Sequence, residues 1–387
     1  MQWRSNACFG SIPIPVQESL IVPHYPAQRC AVALLAAVLT ASSAAATAFL
    51  PPAEVPAARS ALADRTPMNA LARAGDRNVV AGQRGHILYS NNAGTWTQAD
   101  VPLSADLTAL SFPTAQQGWA VGHEGAVLHS ADGGVTWERQ LDATRITALL
   151  VERYANPATP DDPAAQQLQK SAAGLAAWPA DKPLLDVWFE DEKKGFAVGA
   201  FNLILRTEDG GKHWAPWLDH VDNPKGLHLY AIRPAGGSIF IVGEQGLVLR
   251  LDRERQRFVR KALPYEGTLF GVVGTQDMVL VFGLRGHAFR STDGGANWAR
   301  VETGTAAGLS SAVVCADGSV FLASQAGEVL LSTDDGASFG RVKTSVQVPV
   351  FAIAEAGHSG LAFAGFLGVR TERLEAVKQD GAIARKP

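Results

Sequence analysis

The chain has 387 residues, of which 47% are hydrophobic and 18% charged, and its formal net charge is −3. This apolar content is sufficient for a large buried core. The charge balance argues against nucleic acid as a partner, because a polyanion requires a basic surface. The sequence has no P-loop, no zinc-spaced cluster of Cys and His, and no EF-hand loop, so we predict no cofactor and no bound metal.

The first 48 residues have the order of a secretory leader. Arg29 precedes an apolar run from Ala31 to Leu39, and small residues from Ala41 to Ala48 offer cleavage sites. The alternative is a membrane anchor, although the run is short and alanine-rich for a span. We therefore predict a signal peptide over residues 1–48, a linker over 49–66, and an exported protein.

Cysteine usage agrees with this processing. Cleavage of the leader would remove Cys8 and Cys30 and leave Cys315 alone, so the predicted mature chain has no internal disulfide. Cys315 ends an apolar run, Ala312 to Cys315, and we interpret it as a small buried residue rather than a nucleophile.

A short phrase containing Asp, Gly and an aromatic residue recurs down the chain. Its copies span Ser130–Trp137, Thr207–Trp214, Ser291–Trp298 and Ser332–Phe339, with a shortened copy at Ser90–Trp96. The Asp and Ser or Thr side chains of such a phrase can accept backbone N–H groups of a tight turn, while the aromatic residue packs between repeats. We predict structural roles for Asp132, Trp137, Asp209, Trp214, Asp293, Trp298, Asp334 and Phe339, and we call these segments the Asp hairpins.

A second landmark, usually Gly-x-x-Gly, ends an apolar strand before each of these turns. Its first positions are residues 82, 122, 199, 243, 283, 324 and 365, so the steps are 40, 77, 44, 40, 41 and 41 residues. Four short β-strands in about 40 residues are typical of a propeller blade. The sequence therefore predicts an all-β fold, a seven-bladed β-propeller with four-stranded antiparallel blades, over residues 67–377, and a tail over 378–387.

The long step of 77 residues holds an insertion between blades 2 and 3, at about residues 143–183. Asp162 and Pro163 resemble an N-cap followed by proline in the first helical turn, and Ala164 to Ala177 are good helix formers. Arg145 to Tyr154 places its apolar residues on one side of a second helix. We predict a helical insertion, with a disordered loop as the alternative.

The Asp phrase resembles the bacterial neuraminidase repeat, also called the BNR repeat or Asp-box. The longer pattern from Phe196 through Trp214 resembles the photosystem II stability and assembly factor family, over roughly residues 68 to 375. That resemblance implies a seven-bladed propeller exported to the periplasm, or to the thylakoid lumen in a photosynthetic host, where members help to assemble the reaction-centre protein. It implies a non-catalytic scaffold that binds protein partners, including a membrane or envelope complex.

The alternative is a glycoside hydrolase of the sialidase type, because sialidases also contain Asp-boxes. Such an enzyme needs three arginines, a Tyr nucleophile with a Glu partner, and an Asp. The neighbours Tyr265 and Glu266 would point to opposite faces of a strand, and Tyr230 to Pro234 only faintly resembles a sialidase motif. Sialidases have six blades whereas seven units are counted here, so we favour the scaffold.

The Gly-x-x-Gly turns and the insertion should share one face of the ring, opposite the Asp hairpins. We call it the turn face. The residues predicted to bind a partner there are Arg84, His123, Glu124, Phe201, Glu244, Arg285 and Phe366. Their mixed chemistry favours a protein partner.

Most of these residues have an alternative interpretation. Arg84 and Arg285 would be solvated loop charges. A metal site would need a second His beside His123 and Glu124, and none is adjacent in the sequence, so we do not predict one. Phe201, Phe366 and Leu367 would instead touch the helices of the insertion. The sequence does not show how the ring closes, although residues 57 to 66 can supply a closing strand. It predicts no oligomeric state.

Overall fold

Seven small antiparallel sheets form a ring around a central channel in the structure, a computed structural model. The predicted leader and the predicted tail, residues 378–387, lie outside the residues that the structure describes. Those residues are 50–91, 94–177, 181–345, 348–356 and 360–373.

The strands follow the chain from the inner to the outer edge of each blade. Blade 1 has β1 (Met68–Ala74), β2 (Arg77–Gly82), β3 (Ile87–Ser90) and β4 (Thr97–Gln98). Blade 2 has β5 (Leu107–Ser111), β6 (Gly118–Gly122), β7 (Val127–Ser130) and β8 (Glu138–Leu141). Blade 3 has β9 (Leu184–Phe189), β10 (Gly195–Gly199), β11 (Ile204–Thr207) and β12 (Ala215–Pro216). Blade 4 has β13 (Leu229–Ala235), β14 (Ser238–Gly243), β15 (Val248–Asp252) and β16 (Arg257–Lys261).

The remaining three blades repeat the order. Blade 5 has β17 (Leu269–Gly274), β18 (Val279–Gly283), β19 (Ala288–Ser291) and β20 (Ala299–Val301). Blade 6 has β21 (Leu309–Val314), β22 (Val320–Ser324), β23 (Val329–Ser332) and β24 (Gly340–Val342). Blade 7 has β25 (Val350–Ala356), β26 (Gly360–Gly365) and β27 (Gly368–Arg373), so the described part of this blade has three strands. The predicted seven-bladed propeller is confirmed.

The second strand of each blade is almost wholly buried, because neighbouring blades cover both of its faces. All five residues of β10 and of β18 are buried, which explains why these strands are continuous apolar runs rather than alternating ones. Between blades 2 and 3, Trp119 stacks on Phe189 with ring centroids 3.6 Å apart. Cys315 is also buried. No helix among the described residues is long and apolar enough to span a bilayer.

The Asp hairpins join strands three and four of their blades. One carboxylate oxygen of Asp132 accepts the backbone N–H groups of Val135 and Thr136, each at 3.0 Å, and the Ser130 hydroxyl oxygen accepts that of Gly134 at 2.8 Å. Gly134 has φ +89°, which a side chain would strain. The same pattern recurs around Asp209, Asp293 and Asp334. These hairpins are therefore self-contained turns whose carboxylates are used internally.

Hydrogen bonding lowers the pKa of all four of these carboxylates, and most strongly those of Asp293 and Asp334. The backbone N–H and side chain of Asn297 lower the pKa of Asp293 to about 2. Partial burial opposes ionisation of Asp334, but hydrogen bonds from Ser338 and Ser332 outweigh it and lower its pKa to about 2. Both carboxylates are charged in the folded protein at neutral pH.

The ring closes through the segment before β1. The inner strand β25 lies against β1, and Ala63–Arg65 form a short 3-10 turn beside β27. A Cβ at Gly368 would overlap the backbone oxygen of Asp64. Gly85 is the equivalent glycine of blade 1, and a Cβ there would overlap the backbone oxygen of Leu103, which lies in the link from blade 1 to blade 2. Residues 62–66 thus serve as the link from blade 7 to blade 1, and no strand forms within residues 57–66.

The stretch predicted as a linker is packed rather than extended into solvent. Ala57 donates its backbone N–H to Val101 O at 3.1 Å, and Arg59 donates to Gln98 O on β4. The Arg139 side chain of blade 2 donates to Ala53 O at 2.7 Å. The segment therefore lines the outer edges of blades 1 and 2.

The insertion consists of two helices, α1 (Ala143–Tyr154) and α2 (Pro163–Ala177), as predicted. Asp142 caps α1 by accepting the Arg145 backbone N–H, and Asp162 accepts that of Ala164 at the start of α2. Because the two helices pack on each other, the alternative of a disordered loop is wrong for the described part of the insertion.

Candidate partner-binding face

In blades 1, 2, 3 and 5 the Gly-x-x-Gly turn is a short 3-10 turn whose tip has a non-glycine residue in the left-handed region. That backbone conformation directs four of the predicted residues away from the ring: Arg84 (φ 55°), Glu124 (φ 59°), Phe201 (φ 54°) and Arg285 (φ 57°). Backbone bonds hold the turns, as when Gln83 donates its N–H to Pro67 O at 3.1 Å. The tips are thus presented on a rigid frame.

Two groups of predicted residues are brought together. Asp181, at the end of the insertion, has one carboxylate oxygen 3.0 Å from His123 Nδ1, and its other oxygen accepts the Glu124 backbone N–H at 3.1 Å. In the second group, the Phe201 ring meets the His228 ring edge-on with centroids 4.4 Å apart, and Glu244 accepts the His228 backbone N–H at 2.9 Å.

The other three predicted residues lie on separate blades. Arg84 and Arg285 are exposed at the tips of blades 1 and 5, and Phe366 is 59% exposed at the tip of blade 7 beside Leu367. Phe201 and residues of helix α2 line one groove, whereas Phe366 and Leu367 lie on the turn of blade 7.

The insertion is anchored to the ring through a buried tyrosine. The Tyr154 hydroxyl donates to Asp219 at 2.7 Å and accepts the Leu218 backbone N–H at 3.0 Å, while Arg153 donates to Asp219 at 2.9 Å. Burial and the bond to Asp219 raise the pKa of Tyr154 well above its ordinary value. The helices are therefore a fixed part of the turn face.

A groove lies between α2 and the link from blade 3 to blade 4. Its volume is about 500 Å³. Leu168 and Phe201 give it an apolar wall, and Asp162 and Asp222 give it carboxylates. In blade 3 the second glycine of the turn is replaced by Asn202, whose side-chain oxygen accepts from Asn223 at 2.9 Å and fixes the wall of the groove.

The central channel opens between the inner strands, with a cavity of about 350 Å³. Each inner strand has a bulge at its second residue, which lines this cavity. These seven residues are Asn69, Thr108, Leu185, Tyr230, Phe270, Ser310 and Phe351. We call them the bulge ring. The sequence interpretation missed these residues. Each of them occupies the same position of its repeat, the second residue of the inner strand, and that shared position could have identified them.

Burial affects two ionisable groups of the turn face. Partial burial, reinforced by the neighbouring Asp181 carboxylate, raises the pKa of Glu124. Partial burial and the charge of Glu244 raise the pKa of Tyr230, so its hydroxyl stays protonated at neutral pH. A protonated tyrosine at the channel suits hydrogen bonding and packing.

One ion pair in the channel wall joins blades 3 and 4. Asp186 is buried, and its carboxylate accepts the backbone N–H groups of Val187 and Ile232, at 2.9 and 2.8 Å, together with the Arg233 guanidinium. Burial raises the pKa of Asp186, and Arg233 opposes that rise. Asp186 is thus held by an inter-blade clamp, consistent with a structural role.

Of the residues considered for a sialidase, Tyr230 and Arg233 line the channel cavity. Arg233 is the one arginine among the residues lining the channel cavity, and it is paired with Asp186. Tyr265 lies outside that cavity and donates its hydroxyl to Leu284 O at 3.2 Å. Within the described part of the chain, no group of three His, Cys, Asp or Glu side chains is placed to hold a metal ion.

Comparison with known proteins places this fold in a family. The profile of the family described as photosynthesis system II assembly factor YCF48 matches residues 76–151 and 166–312, which is more than half of the chain. The chain belongs to this family. The resemblance of its repeats to photosystem II assembly factors is therefore confirmed.

Among curated members of the family, the photosystem II assembly lipoprotein Ycf48 of Synechococcus sp. (strain CC9902) is 30% identical over 118 residues. The match spans 30% of this chain and 35% of the relative, about a third of that protein's length.

Two structures of YCF48 and one of a WD40 propeller have the same fold. A structure of YCF48 bound to D1 peptide has TM-score 0.59 and 17% identity, covering 83% of this chain and 99% of that one. YCF48 from Cyanidioschyzon merolae has TM-score 0.56 and 16% identity, covering 82% and 98%. The WD40 propeller of Doa1, at 7% identity, covers 82% and 95% with TM-score 0.56. At such identities these likenesses show the fold alone.

Proposed function

We propose that this protein is an exported, non-catalytic β-propeller scaffold that binds protein partners through its turn face and aids the assembly or function of a membrane or envelope complex. Membership of the YCF48 assembly factor family supports this proposal, as does the D1 peptide bound to a structural neighbour. Two adjoining features of the turn face, its anchored insertion and its rigid tips, suit a docking surface.

The distribution of exposed apolar side chains carries the proposal. Seven large apolar side chains are exposed among the described residues, and four of them, Phe201, Leu284, Phe366 and Leu367, lie on Gly-x-x-Gly turns. None of the seven belongs to a described Asp hairpin. Exposed apolar groups on one side of a protein mark that side for contact with a partner.

A charge-reversal experiment tests the face. A tagged wild-type protein and the variant Arg84→Glu/Arg285→Glu are used to recover partners from the periplasm-exposed membrane fraction. The variant Lys212→Glu/Arg255→Glu, which makes the same charge change on exposed residues at the Asp hairpin end of the blades, is the matched control. We expect the control to retain the wild-type partner and the turn-face variant to lose it. Equal recovery by all three proteins contradicts the face.

Export and absence of catalysis are parts of the same proposal. The curated relative is named as a lipoprotein, which supports an exported location, here the periplasm, or the thylakoid lumen in a photosynthetic host. Fractionation of cells should recover the chain without residues 1–48. Turnover of sialyl or aryl-glycoside substrates that is lost in Tyr230→Phe would overturn the non-catalytic assignment.

A further inference from the structure

A run of aromatic rings crosses the turn face from the insertion to the channel. The ring centroids of Phe201 and His228 are 4.4 Å apart, those of His228 and Tyr230 are 6.2 Å apart, and those of Tyr230 and Phe270 are 5.7 Å apart. The four rings come from blades 3, 4 and 5. We call this run the aromatic track.

Each end of the aromatic track is a cavity. Phe201 borders the groove of about 500 Å³ beside α2, and Tyr230 and Phe270 line the channel cavity of about 350 Å³. One aromatic surface therefore connects two concave sites, and such sites concentrate the binding energy of apolar side chains.

The spacing of the rings fits an extended chain. In an extended segment, side chains on one face recur every second residue, at about 6.6 Å. The three ring-to-ring steps of 4.4, 6.2 and 5.7 Å together span about 16 Å, which is the length of about five residues of an extended chain. A segment of about five or six residues would therefore reach from the groove to the channel.

The charge of the groove adds a requirement on the occupant. Its lining includes the carboxylates of Asp162, Asp219 and Asp222 and one guanidinium, that of Arg257. Asp219 is paired with Arg153, at 2.9 Å. The two remaining carboxylates and Arg257 therefore leave the groove with a net negative charge. A cationic side chain of the occupant is favoured at this end.

We propose that the aromatic track is the docking site for an extended segment of the partner protein, with a Lys or Arg in the groove and an aliphatic or aromatic side chain in the channel mouth. This inference rests on the proposed function and specifies the partner's chemistry. The rigid turns pre-organise the track, which reduces the entropy lost on binding.

A peptide selection on the full-length mature protein tests the proposal. Random dodecapeptides displayed on phage are selected on the wild type, and a fluorescein-labelled copy of the enriched peptide is titrated by anisotropy. We expect enriched peptides to have a basic residue about five positions from a large apolar one. Enrichment without this pattern, or no enrichment at all, overturns the proposal.

A pair of exposed apolar side chains locates the binding. Phe201→Ala removes an exposed ring on the track, and Leu50→Ala removes an exposed side chain of the segment before the ring, outside the turn face. We expect the Kd of the labelled peptide to rise about tenfold for Phe201→Ala and to stay unchanged for Leu50→Ala. Equal effects of the two substitutions overturn the location. Thermal melting checks that both variants fold, which is expected because both side chains are exposed.

A second pair of variants tests the charge. Asp162→Asn/Asp222→Asn keeps acceptor oxygens but removes two negative charges from the groove, and Asp277→Asn/Asp317→Asn removes two charges from exposed hairpins elsewhere. Peptide binding should weaken several-fold, with a smaller salt dependence, in the groove variant alone. Unchanged binding by the groove variant refutes the cationic contact.

The result also separates this inference from the proposed function. If the partner recovered by pull-down binds Phe201→Ala and the wild type equally, the scaffold function stands and the aromatic track is refuted. If no partner depends on the turn face, the proposed function itself fails.

Discussion

Replacing Arg233 by methionine should destabilise the propeller, because it leaves the buried Asp186 carboxylate without its cation. The two side chains join blades 3 and 4 in the channel wall. Methionine preserves much of the apolar stem of arginine but neither its charge nor its N–H groups. The change therefore isolates the electrostatic contribution of the clamp.

The expected size follows from the burial of the two partners. Removing one partner of a fully buried ion pair costs about 3–5 kcal/mol. Arg233 is 38% exposed, so solvent already screens part of its interaction, and we expect about 2–3 kcal/mol. This corresponds to a fall in Tm of several degrees for a chain of this size.

The destabilisation caused by Arg233→Met should increase with pH. Burial raises the pKa of Asp186 above its unfolded value, and loss of Arg233 should raise it further. A raised carboxyl pKa stabilises the fold at low pH and is a penalty above that pKa. The loss in Tm relative to wild type should therefore be larger at pH 8 than at pH 5, as measured by differential scanning calorimetry.

Two further variants make the test decisive. Asp186→Asn/Arg233→Met has no buried charge and still offers an acceptor for the Ile232 N–H, so it should recover most of the lost stability. Arg253→Met breaks an exposed pair with Glu190 and should change stability by less than about 1 kcal/mol. An Arg233→Met variant with wild-type Tm, or with the same loss at both pH values, refutes the reasoning.

Three other predictions concern the seam, the hairpins and the insertion. Gly368→Ala should lower Tm by several degrees, because φ is +90° and the new Cβ would overlap the segment that closes the ring, whereas Gly174→Ala in α2, with open space, should raise it slightly. Wild-type Tm should fall between about pH 4 and pH 2 as the Asp hairpins protonate, and Asp334→Asn should reduce that fall, because its depressed pKa stabilises the fold only above this range. Tyr154→Phe should cost about 1–2 kcal/mol and accelerate proteolysis within residues 155–162, since two hydrogen bonds that anchor the insertion are lost.

Each of these has a result that contradicts it. Equal effects of alanine at the two glycine positions would mean that the seam is not tightly packed. An acid transition that is the same in Asp334→Asn and wild type would assign acid unfolding to other carboxylates. Unchanged proteolysis of Tyr154→Phe would show that α1 and α2 hold the insertion without the tyrosine.

The repeat made the architecture predictable from sequence. Apart from Ser324 in blade 6 and the longer step across the insertion, a glycine recurs about every 40 residues from Gly82 to Gly365 and marks the same turn of the blades. A tight turn restricts residue choice strongly enough to be visible in the sequence. Asp162 and Pro163 marked the start of α2 for the same reason, because caps use few residue types.

The candidate site was less predictable, because a ring brings together residues that are distant in sequence. Tyr230 and Phe270 lie at equivalent bulges of adjacent blades, and no local pattern shows that their rings meet. Asp186 and Arg233 face each other for a similar reason. The closing segment before β1 lacks the repeat altogether, so only its contact with Gly368 reveals its place.

The closing segment also determines when the ring can be completed during synthesis. Asp64 and Gly368, which meet at the seam, are about 300 residues apart, so the earliest part of the propeller to be synthesised waits for the last blade. Until then the inner edge of blade 1 and the exposed flank of blade 6 have no neighbour, and both are apolar. An interrupted translation product would be an open arc of blades with an exposed apolar surface at each end. Chaperones and proteases recognise such surfaces.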